Sequence, residues 1–274
     1  MDQIPINLSK VKVFCSDLDD TLLDDNQKIQ PYTKMMLQLL LKSGIHVVFA
    51  SGRSPDSVSK YTREIQSQEI PSDNQDIPII ALNGGFASVQ GIKPYKATLK
   101  EDIILKSLEY CEKNNYCIEF YSDENVIIST KDSQYHQYHK NLVGVDGILM
   151  SYFEMRQFCL SKPPAKFLIC EDPPLIQNKI IPDLSKYLPS TSRILVTKPC
   201  FLEVLPSDTT KANALEWLQK CGLSYCPANA NEAAKHAAQH ILSWTNTQDC
   251  VGKLINQIFF DNKYDIGSLS KTIL

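Results

Sequence analysis

The chain has little charge imbalance, no long apolar run and no closely spaced cysteines. Its 274 residues carry a net charge of −3 and the pI is about 6.0, so no basic field is present to hold nucleic acid or an anionic membrane surface. The apolar stretch at residues 35–50 is interrupted by a lysine, a serine, a glycine and a histidine, and no uninterrupted run approaches a membrane span. We therefore expect no nucleic-acid partner and no membrane contact.

The nine cysteines show no repeated close spacing. Residues 1–5 lack the basic start and the apolar stretch of a signal peptide. Reduced thiols and a cytoplasmic location are therefore expected.

Two groups of histidines could suggest a metal site, and neither is favoured. The first combines an i, i+4 histidine pair with two cysteines, but its cysteine-to-histidine spacing is shorter than in zinc fingers. Its members are Cys221, Cys226, His236 and His240. The second group, His136 and His139, lies in a polar and aromatic segment, where surface or substrate-facing positions are expected instead of a metal site.

The first part of the chain alternates apolar runs of strand length with helical patterns. Strands are predicted at residues 11–16, 45–50 and 77–82, and helices at 32–42 and 55–66. This order implies an α/β fold with a parallel, doubly wound sheet. Residues 86–197 mix short strands and helices, as in an α+β insertion, and residues 201–205 then return to a buried strand.

Two carboxylates lie one residue apart at the end of the first predicted strand, in the segment Asp17-Leu18-Asp19-Asp20-Thr21. Like charges at this spacing oppose folding unless a cation or a reacting group compensates them. Ser51 and Asn83 follow the next two strands, and ligands of such sheets bind beyond the carboxyl ends of the strands. The pattern therefore indicates phosphoryl transfer, although helix-capping or turn aspartates are the alternative interpretation.

Taken together, these segments resemble the haloacid dehalogenase-like (HAD) hydrolases, and within them the Cof-type phosphatases with a class IIB cap. The resemblance covers nearly the whole chain. It implies a Rossmann-like, doubly wound parallel sheet core at 1–84 and 198–274, with an inserted α+β cap domain at 85–197. The residues that carry it are Asp17–Thr21, Ser51-Gly52-Arg53, Asn83-Gly84-Gly85, Leu202-Glu203-Val204, Lys211, Asn229-Ala230, Lys235, Asn246 and Val251.

The resemblance implies a Mg²⁺-dependent phosphatase acting on small phosphomonoesters such as sugar phosphates, with a small phosphorylated metabolite as its partner. Asp17 would be the nucleophile that forms an aspartyl-phosphate, Asp19 would be the acid and base, and both would bind the metal. Arg53 is expected to be structural or to contact the cap. The phosphate-binding residues would be Leu18, Ser51, Gly52 and Lys211. The cap would close over the site and choose the substrate, and a phosphomutase on the same fold is the other enzymatic reading.

The chain departs from the family pattern at Asp20, where the family usually has glycine. An aspartate there adds negative charge and strains the turn if the position needs a positive φ.

The larger departure lies between Gly222 and Asn229, where the family places a strand and a Gly-Asp-x-x-Asn-Asp loop that completes the Mg²⁺ site. Residues 221–231 contain no acidic residue, and Mg²⁺ prefers carboxylate and water oxygens. Three explanations stay open: an inactive relative, a sequence lacking a segment of the active protein, or residues 223–226 serving as a substitute strand with Asn229 or Asn231 near the site. The competing function is a catalytically inactive pseudophosphatase that binds a ligand or partner.

Overall fold

The computed structural model describes residues 11–66, 70, 76–89, 94–122, 126–207, 209 and 221–265. The chain divides into two compact units, one formed by Met1–Pro94 with Lys211–Leu274 and the other by Tyr95–Thr210. The second unit is therefore inserted into the first. Both limits of the insertion lie C-terminal to the expected ones at 84/85 and 197/198.

The first unit is built on a parallel sheet, as the alternating pattern predicts. Strand β1 (Val13–Asp17) pairs in parallel with β2 (His46–Ala50), which pairs in parallel with β3 (Ile79–Ala81). Strand β4 (Phe86–Ser88) then runs antiparallel to β3. The order within the unit is β1-β2-β3-β4, so β1 lies at the end of the sheet among the residues that the structure describes.

Two helices connect these strands, and proline begins both. Helix α1 (Pro31–Lys42) and helix α2 (Pro55–Ile65) each start at a proline, whose fixed φ suits the first helical position and whose missing N–H is not needed there. The Ser54 hydroxyl also caps α2 by accepting the Ser57 N–H at 3.3 Å. Both helices confirm the predicted ones to within a residue.

The second unit contains a six-stranded mixed sheet flanked by helices. The sheet order is β10-β11-β9-β6-β7-β8, antiparallel throughout except for the parallel pair β7–β8. After the short strand β5 (Tyr95–Lys96), its strands are β6 (Ile118–Tyr121), β7 (Ile127–Ser129), β8 (Gly147–Leu149), β9 (Phe167–Cys170), β10 (Ser192–Lys198) and β11 (Phe201–Pro206). Its helices are α3 (Glu101–Asn114), α4 (Gln134–Val143), α5 (Tyr152–Ser161), α6 (Pro173–Leu175) and α7 (Ile181–Tyr187).

Strand β11 corrects the expectation that residues 201–205 return to the core sheet. It pairs with β10 and β9, and Glu203 within it forms a buried ion pair with Lys166 at 2.5 Å. A continuous apolar run shows that a strand is buried on both faces but not which sheet it joins. This difference also moves the end of the insertion towards the C-terminus.

The two faces of the second unit's sheet differ in character. One face carries the larger apolar core, in which Phe120 and Phe167 pack with α3, α5 and residues 176–184. The opposite face carries α4 and the buried polar residues Glu119, His136 and His139. Alternate residues of a strand face opposite sides, so neighbouring positions of β6 divide between these two environments.

The C-terminal part of the first unit forms a small sheet and two helices. Strands β12 (Tyr225–Cys226) and β13 (His240–Ile241) pair in parallel in a sheet of their own. The substitute strand predicted at 223–226 thus pairs with β13 and not with β1. Helix α8 (Glu232–Ala237) lies between them, and α9 (Cys250–Phe259) packs against α1.

The sequence also predicts a helix at 208–221, closed by Gly222, and almost all of it lies outside the described residues. Within the described part of the chain, no helix is long and apolar enough to cross a membrane.

Candidate functional site

Asp17 is the last residue of β1, and its side chain is partly buried at the carboxyl end of the parallel sheet. Its register partner on β2 is Ala50, so Ser51 follows at the same edge. The Asp17 carboxylate accepts the Leu18 N–H at 2.8 Å, and the Leu18 side chain is fully buried below it. The Leu18 N–H therefore orients the Asp17 carboxylate at the end of the strand.

Asp19 is held by a bidentate ion pair with Arg53. The Arg53 Nη2 lies 2.7 Å from Asp19 Oδ1 and the Nε lies 3.0 Å from Oδ2, while the Ser51 hydroxyl donates to Oδ2 at 3.4 Å. Arg53 is itself only 10% exposed and also donates to the Tyr61 hydroxyl at 3.3 Å and to Gln27. Bidentate pairs of this kind fix geometry as well as charge.

Sequence reasoning missed this partner of Arg53. The Ser-Gly-Arg segment was visible, but nothing in the spacing shows that the guanidinium turns back to a carboxylate 34 positions away. A usable signal was the pairing of an acid just beyond β1 with a base just beyond β2, since neighbouring parallel strands bring such ends together.

Ser51, Gly52 and Asn83 form a tight turn at the ends of β2 and β3. Ser51 is 1% exposed, donates its N–H to Ile80 O at 2.8 Å and accepts the Asn83 N–H at 3.1 Å. Asn83 adopts a left-handed φ of +55°. A Cβ added at Gly52 would lie 2.9 Å from Asn83 Oδ1, so a larger residue here would have to displace the buried Asn83 side chain.

Gly52→Ala is therefore expected to shift the Asn83 side chain and to lower the free energy of unfolding by roughly 1–3 kcal/mol. Gly222→Ala is the matched control, because nothing lies within 4 Å of its added Cβ. Thermal unfolding of the two variants gives the comparison. Equal unfolding midpoints for the two variants would show that the Asn83 side chain moves aside without a cost in stability.

Asp20 adopts the conformation that the family's glycine would favour. Its φ is +57° and its ψ is 13°, in the left-handed region. Its carbonyl accepts the Asn229 Nδ2–H at 2.9 Å, and Asn229 Oδ1 accepts the Asn246 N–H at 3.1 Å. Asn246 in turn donates to Leu23 O at 2.9 Å. The two asparagines that carry part of the family resemblance thus brace the turn after the aspartate pair.

Asp20→Gly is expected to be more stable than Asp20→Ala by about 1 kcal/mol, because glycine adopts this φ without steric cost and alanine does not. Neither variant retains the side chain, so the comparison isolates the backbone. Chemical unfolding measures the difference. Identical free energies of unfolding for the two variants would contradict a strained turn.

Known proteins resemble this chain in sequence and in fold. Residues 14–220 match the family model of the haloacid dehalogenase-like hydrolases. The chain belongs to this family. The assignment to the haloacid dehalogenase-like hydrolases made from the motifs is confirmed, as are the α/β core and the separate inserted sheet.

Named relatives of this HAD hydrolase are phosphatases. A 5-amino-6-(5-phospho-D-ribitylamino)uracil phosphatase of Bacillus subtilis is 22% identical over 288 residues, covering 92% of this chain and 98% of the relative. The crystal structure of a haloacid dehalogenase-like hydrolase from Bacteroides thetaiotaomicron matches with a TM-score of 0.78 at 24% identity, covering 91% of this chain and 100% of that chain. A HAD subclass IIB sugar phosphatase matches with a TM-score of 0.70 at 18% identity, covering 90% and 98%.

The remaining predicted positions divide between the units. Lys211 lies outside the described residues. Glu203 pairs with Lys166 inside the second unit, and Lys235 pairs with the neighbouring Glu232 at 3.1 Å. The first unit's described part thus supplies Asp17, Leu18, Asp19, Ser51 and Gly52 to one edge of the sheet.

The histidine expectations have different outcomes. His136 and His139 are 2% and 6% exposed, so the expected surface or substrate-facing positions are wrong. Their helix places both rings against the buried Glu119, which sequence alone does not reveal. The His236 ring bonds to Glu232 O at 2.6 Å, and His240 stacks on Tyr225, so neither is arranged with the two cysteines.

The residues of the described ranges do not fit a magnesium site by themselves. No group of three or more histidines, cysteines, aspartates or glutamates in those ranges is arranged to hold a metal ion. The Asp19 carboxylate faces the Arg53 guanidinium, which competes with a cation for the same oxygens. Mg²⁺ is usually held by one or two carboxylates together with water and phosphate oxygens, and here one of the two carboxylates is already paired with Arg53.

Proposed function

We propose that this HAD hydrolase is a phosphatase of small phosphomonoesters and that Asp17 accepts the phosphoryl group. The observation that carries the proposal is the position of the Asp17 carboxylate at the carboxyl end of β1, beside the turn of Ser51 and Gly52 after β2. Asp19 stands two residues further on, where it can serve the leaving group. Relatives named for phosphate esters of a ribitylaminouracil and of sugars support small phosphorylated metabolites as substrates.

The proposed reaction has two steps. An Asp17 carboxylate oxygen attacks phosphorus, the bond from phosphorus to the alcohol oxygen breaks, and Asp19 delivers a proton to that oxygen. Asp19 then takes a proton from water, the hydroxide attacks phosphorus, and the bond to Asp17 breaks to release inorganic phosphate. Leu18, Ser51, Gly52 and Lys211 are the proposed phosphate ligands.

The ion pair with Arg53 bears on whether Asp19 can act as an acid or as a base. A guanidinium paired with a carboxylate favours the ionised form, which suits the base of the second step and opposes the acid of the first. The proposed role of Arg53 is to hold the Asp19 carboxylate in place until a phosphate ester, which is also an acceptor for guanidinium, competes for it.

A second candidate is a relative that binds phosphate esters without turnover. The Asp19–Arg53 pair and the acid-free segment 221–231 favour it. The alignment to the Bacillus subtilis relative spans 288 positions but takes in 92% of the 274 residues, about 252, so about 36 positions of the relative face no residue here. An internal segment missing from this chain, including the family's acidic loop, accounts for these observations.

A panel of sugar phosphates, ribityl phosphates and p-nitrophenyl phosphate, with and without Mg²⁺, distinguishes the candidates. Phosphate release above that of Asp17→Asn, with ³²P retained on the wild-type protein after denaturation, supports the phosphatase. Release equal to that of Asp17→Asn contradicts it. Calorimetric binding of the same esters, weakened in Ser51→Ala, then supports the second candidate.

A further inference from the structure

Two cysteines of the second unit face each other across neighbouring strands. Cys117 directly precedes β6, and Cys170 ends β9, with which β6 pairs antiparallel. The register of Ile118 opposite Ile169 continues by one step to this pair, and the Cys170 N–H donates to Cys117 O at 3.0 Å. Hydrogen-bonded antiparallel partners have Cα atoms about 5.5 Å apart, inside the 4.4–6.8 Å range of disulfides.

The two thiols also point to the same side of the sheet. Cys170 Sγ donates to Glu119 Oε1 at 3.2 Å, and Cys117 shares the face of Glu119 because the two are separated by one residue on the strand. Cys117 Sγ lies 3.4 Å from the Ser129 hydroxyl on the same side. Both cysteines are 0% exposed, so their side chains are held by packing as well as by these contacts.

The polar surroundings distinguish this pair from the other buried thiols of the unit. The side-chain contact with Cys170 is the main reason that the pKa of Cys117 lies below its ordinary value, although burial opposes this. Burial instead raises the pKa of Cys111 well above its ordinary value and that of Cys159 to about 12. Thiolate is the reactive form of cysteine, so Cys117 is the favoured attacking sulfur. Burial raises the pKa of Cys170 well above its ordinary value, and its contact with Cys117 adds to this, so Cys170 is the resolving thiol.

We propose that Cys117 and Cys170 form a dithiol site that peroxide converts into a cross-strand disulfide. In the first step, the Cys117 sulfur attacks one oxygen of hydrogen peroxide, the O–O bond breaks, and the products are a sulfenic acid and water. In the second step, Cys170 sulfur attacks the sulfenic sulfur, an S–S bond forms and a second water leaves with the thiol proton. Two thiols lose two electrons and two protons, and one peroxide is reduced to two waters.

The Glu119 cluster gives the second step a proton route. The Cys170 thiol already donates to Glu119, whose other hydrogen bonds come from His136 and His139. A proton leaving Cys170 therefore enters an existing network of acceptors. The site lies entirely within the second unit and is independent of the proposed phosphatase chemistry.

Cys200 is the competing partner within the described residues, because it belongs to the same apolar cluster and is 8% exposed. It lies in the turn between β10 and β11, outside the register that opposes Cys117 to Cys170. The variant Cys200→Ser therefore separates a specific cross-strand bond from general oxidation of the cluster.

The test treats the full chain with graded hydrogen peroxide, alkylates the remaining thiols after denaturation, and maps the cysteines by mass spectrometry. The expected product is one peptide pair joined through Cys117 and Cys170 and lighter by two hydrogens. It should form equally in wild type, Cys111→Ser and Cys200→Ser, reverse with dithiothreitol, and raise the thermal midpoint of wild type. In Cys170→Ser, dimedone should label Cys117 and the midpoint should not rise.

Two results would overturn the proposal. One is that Cys117 and Cys170 stay reduced when the native wild-type protein is treated with enough peroxide to oxidise the exposed Cys15 and Cys221 fully. Both thiols would then be found alkylated after denaturation. The other is a disulfide that links either residue to Cys200 instead. Both are read on the wild-type chain, so a variant that fails to fold leaves the test intact.

Discussion

Replacing Asp17 with asparagine is expected to reduce phosphate release by roughly 10³-fold or more, as loss of a covalent nucleophile does in other enzymes. The substitution keeps the size of the side chain and its contact with the Leu18 N–H but removes the negative oxygen that attacks phosphorus. Turnover of a small phosphomonoester and ³²P retention after denaturation are both measured. Turnover and ³²P retention should be lost together, because both require the bond between the Asp17 carboxylate and phosphorus.

Asp20→Asn is the matched control for this prediction. It removes one carboxylate from the same turn, asparagine tolerates the left-handed φ of +57°, and the residue has no role in the proposed steps. Its turnover should stay within a few-fold of wild type. Asp17→Asn turnover within tenfold of wild type would reject Asp17 as the nucleophile, since overall charge loss is the same in both variants.

Asp19→Asn completes the series and is expected to lose roughly 10²–10⁴-fold, the usual contribution of an acid and base. Its ³²P signal should differ from that of Asp17→Asn: a phosphoprotein that forms slowly should also decay slowly. The variant also leaves Arg53, which is 10% exposed, without its carboxylate partner. A thermal unfolding scan therefore accompanies the rate measurements, so that a loss of folding is not read as a loss of chemistry.

The edge of the core sheet was predictable because simple patterns define it. Residues 45–50 form a mostly apolar run of strand length, prolines begin the helices that follow β1 and β2, and parallel strands end at one edge. From this, the sequence predicts that Asp17, Ser51 and Asn83 converge. Strand and helix limits agree within a few residues because proline and glycine punctuate them.

Side-chain contacts between different helices and strands could not be predicted from these patterns. Arg53 reaches back to Asp19, and Glu119 meets two histidines of α4, through contacts that depend on packing between elements. Periodicity shows which face of an element is buried but not what covers it. The same limit explains why β11 was assigned to the wrong sheet, since its six residues are buried on both faces.

Strand β1 lies at the end of the core sheet among the described strands. Val13 in this strand is 53% exposed, which fits a strand at the edge of the sheet. The short β12 pairs with β13 and leaves this edge unpaired by any strand of the described ranges. The missing internal segment that we propose would account for the exposed position, the short 222–229 interval and the absent acidic loop together.

Replacing Glu119 with glutamine is expected to lower the free energy of unfolding of the second unit by about 3–5 kcal/mol, the cost of breaking a buried charged pair. Glu119 is fully buried and accepts hydrogen bonds from His136 at 2.6 Å, from His139 and from Cys170 at 3.2 Å. Glutamine has the same shape but one acceptor oxygen fewer and no charge. At least one histidine then loses its partner in an apolar setting.

The pH dependence of stability should identify the cause. Burial alone would raise the pKa of Glu119, but the hydrogen bonds and charges of His136 and His139 outweigh it and lower that pKa from 4.5. The hydrogen bond to Glu119 raises the pKa of His136 from 6.5, although burial opposes this. The His136 contribution is therefore full below pH 6.5 and declines as pH rises through the raised value; the Glu119 contribution is full above pH 4.5 and declines as pH falls through the lowered value.

Wild-type stability contributed by this cluster should thus be greatest between about pH 4.5 and 6.5 and decline towards alkaline pH. Urea unfolding from pH 5 to 9 measures it, and Glu119→Gln should flatten the alkaline decline as well as lower the curve. Glu112→Gln is the control, because its pair with Arg156 at 2.9 Å is half exposed and should contribute at most about 1 kcal/mol. A Glu119→Gln curve parallel to that of wild type would mean that His136 does not change its charge with this carboxylate, and that the cluster stabilises the fold through neutral hydrogen bonds alone.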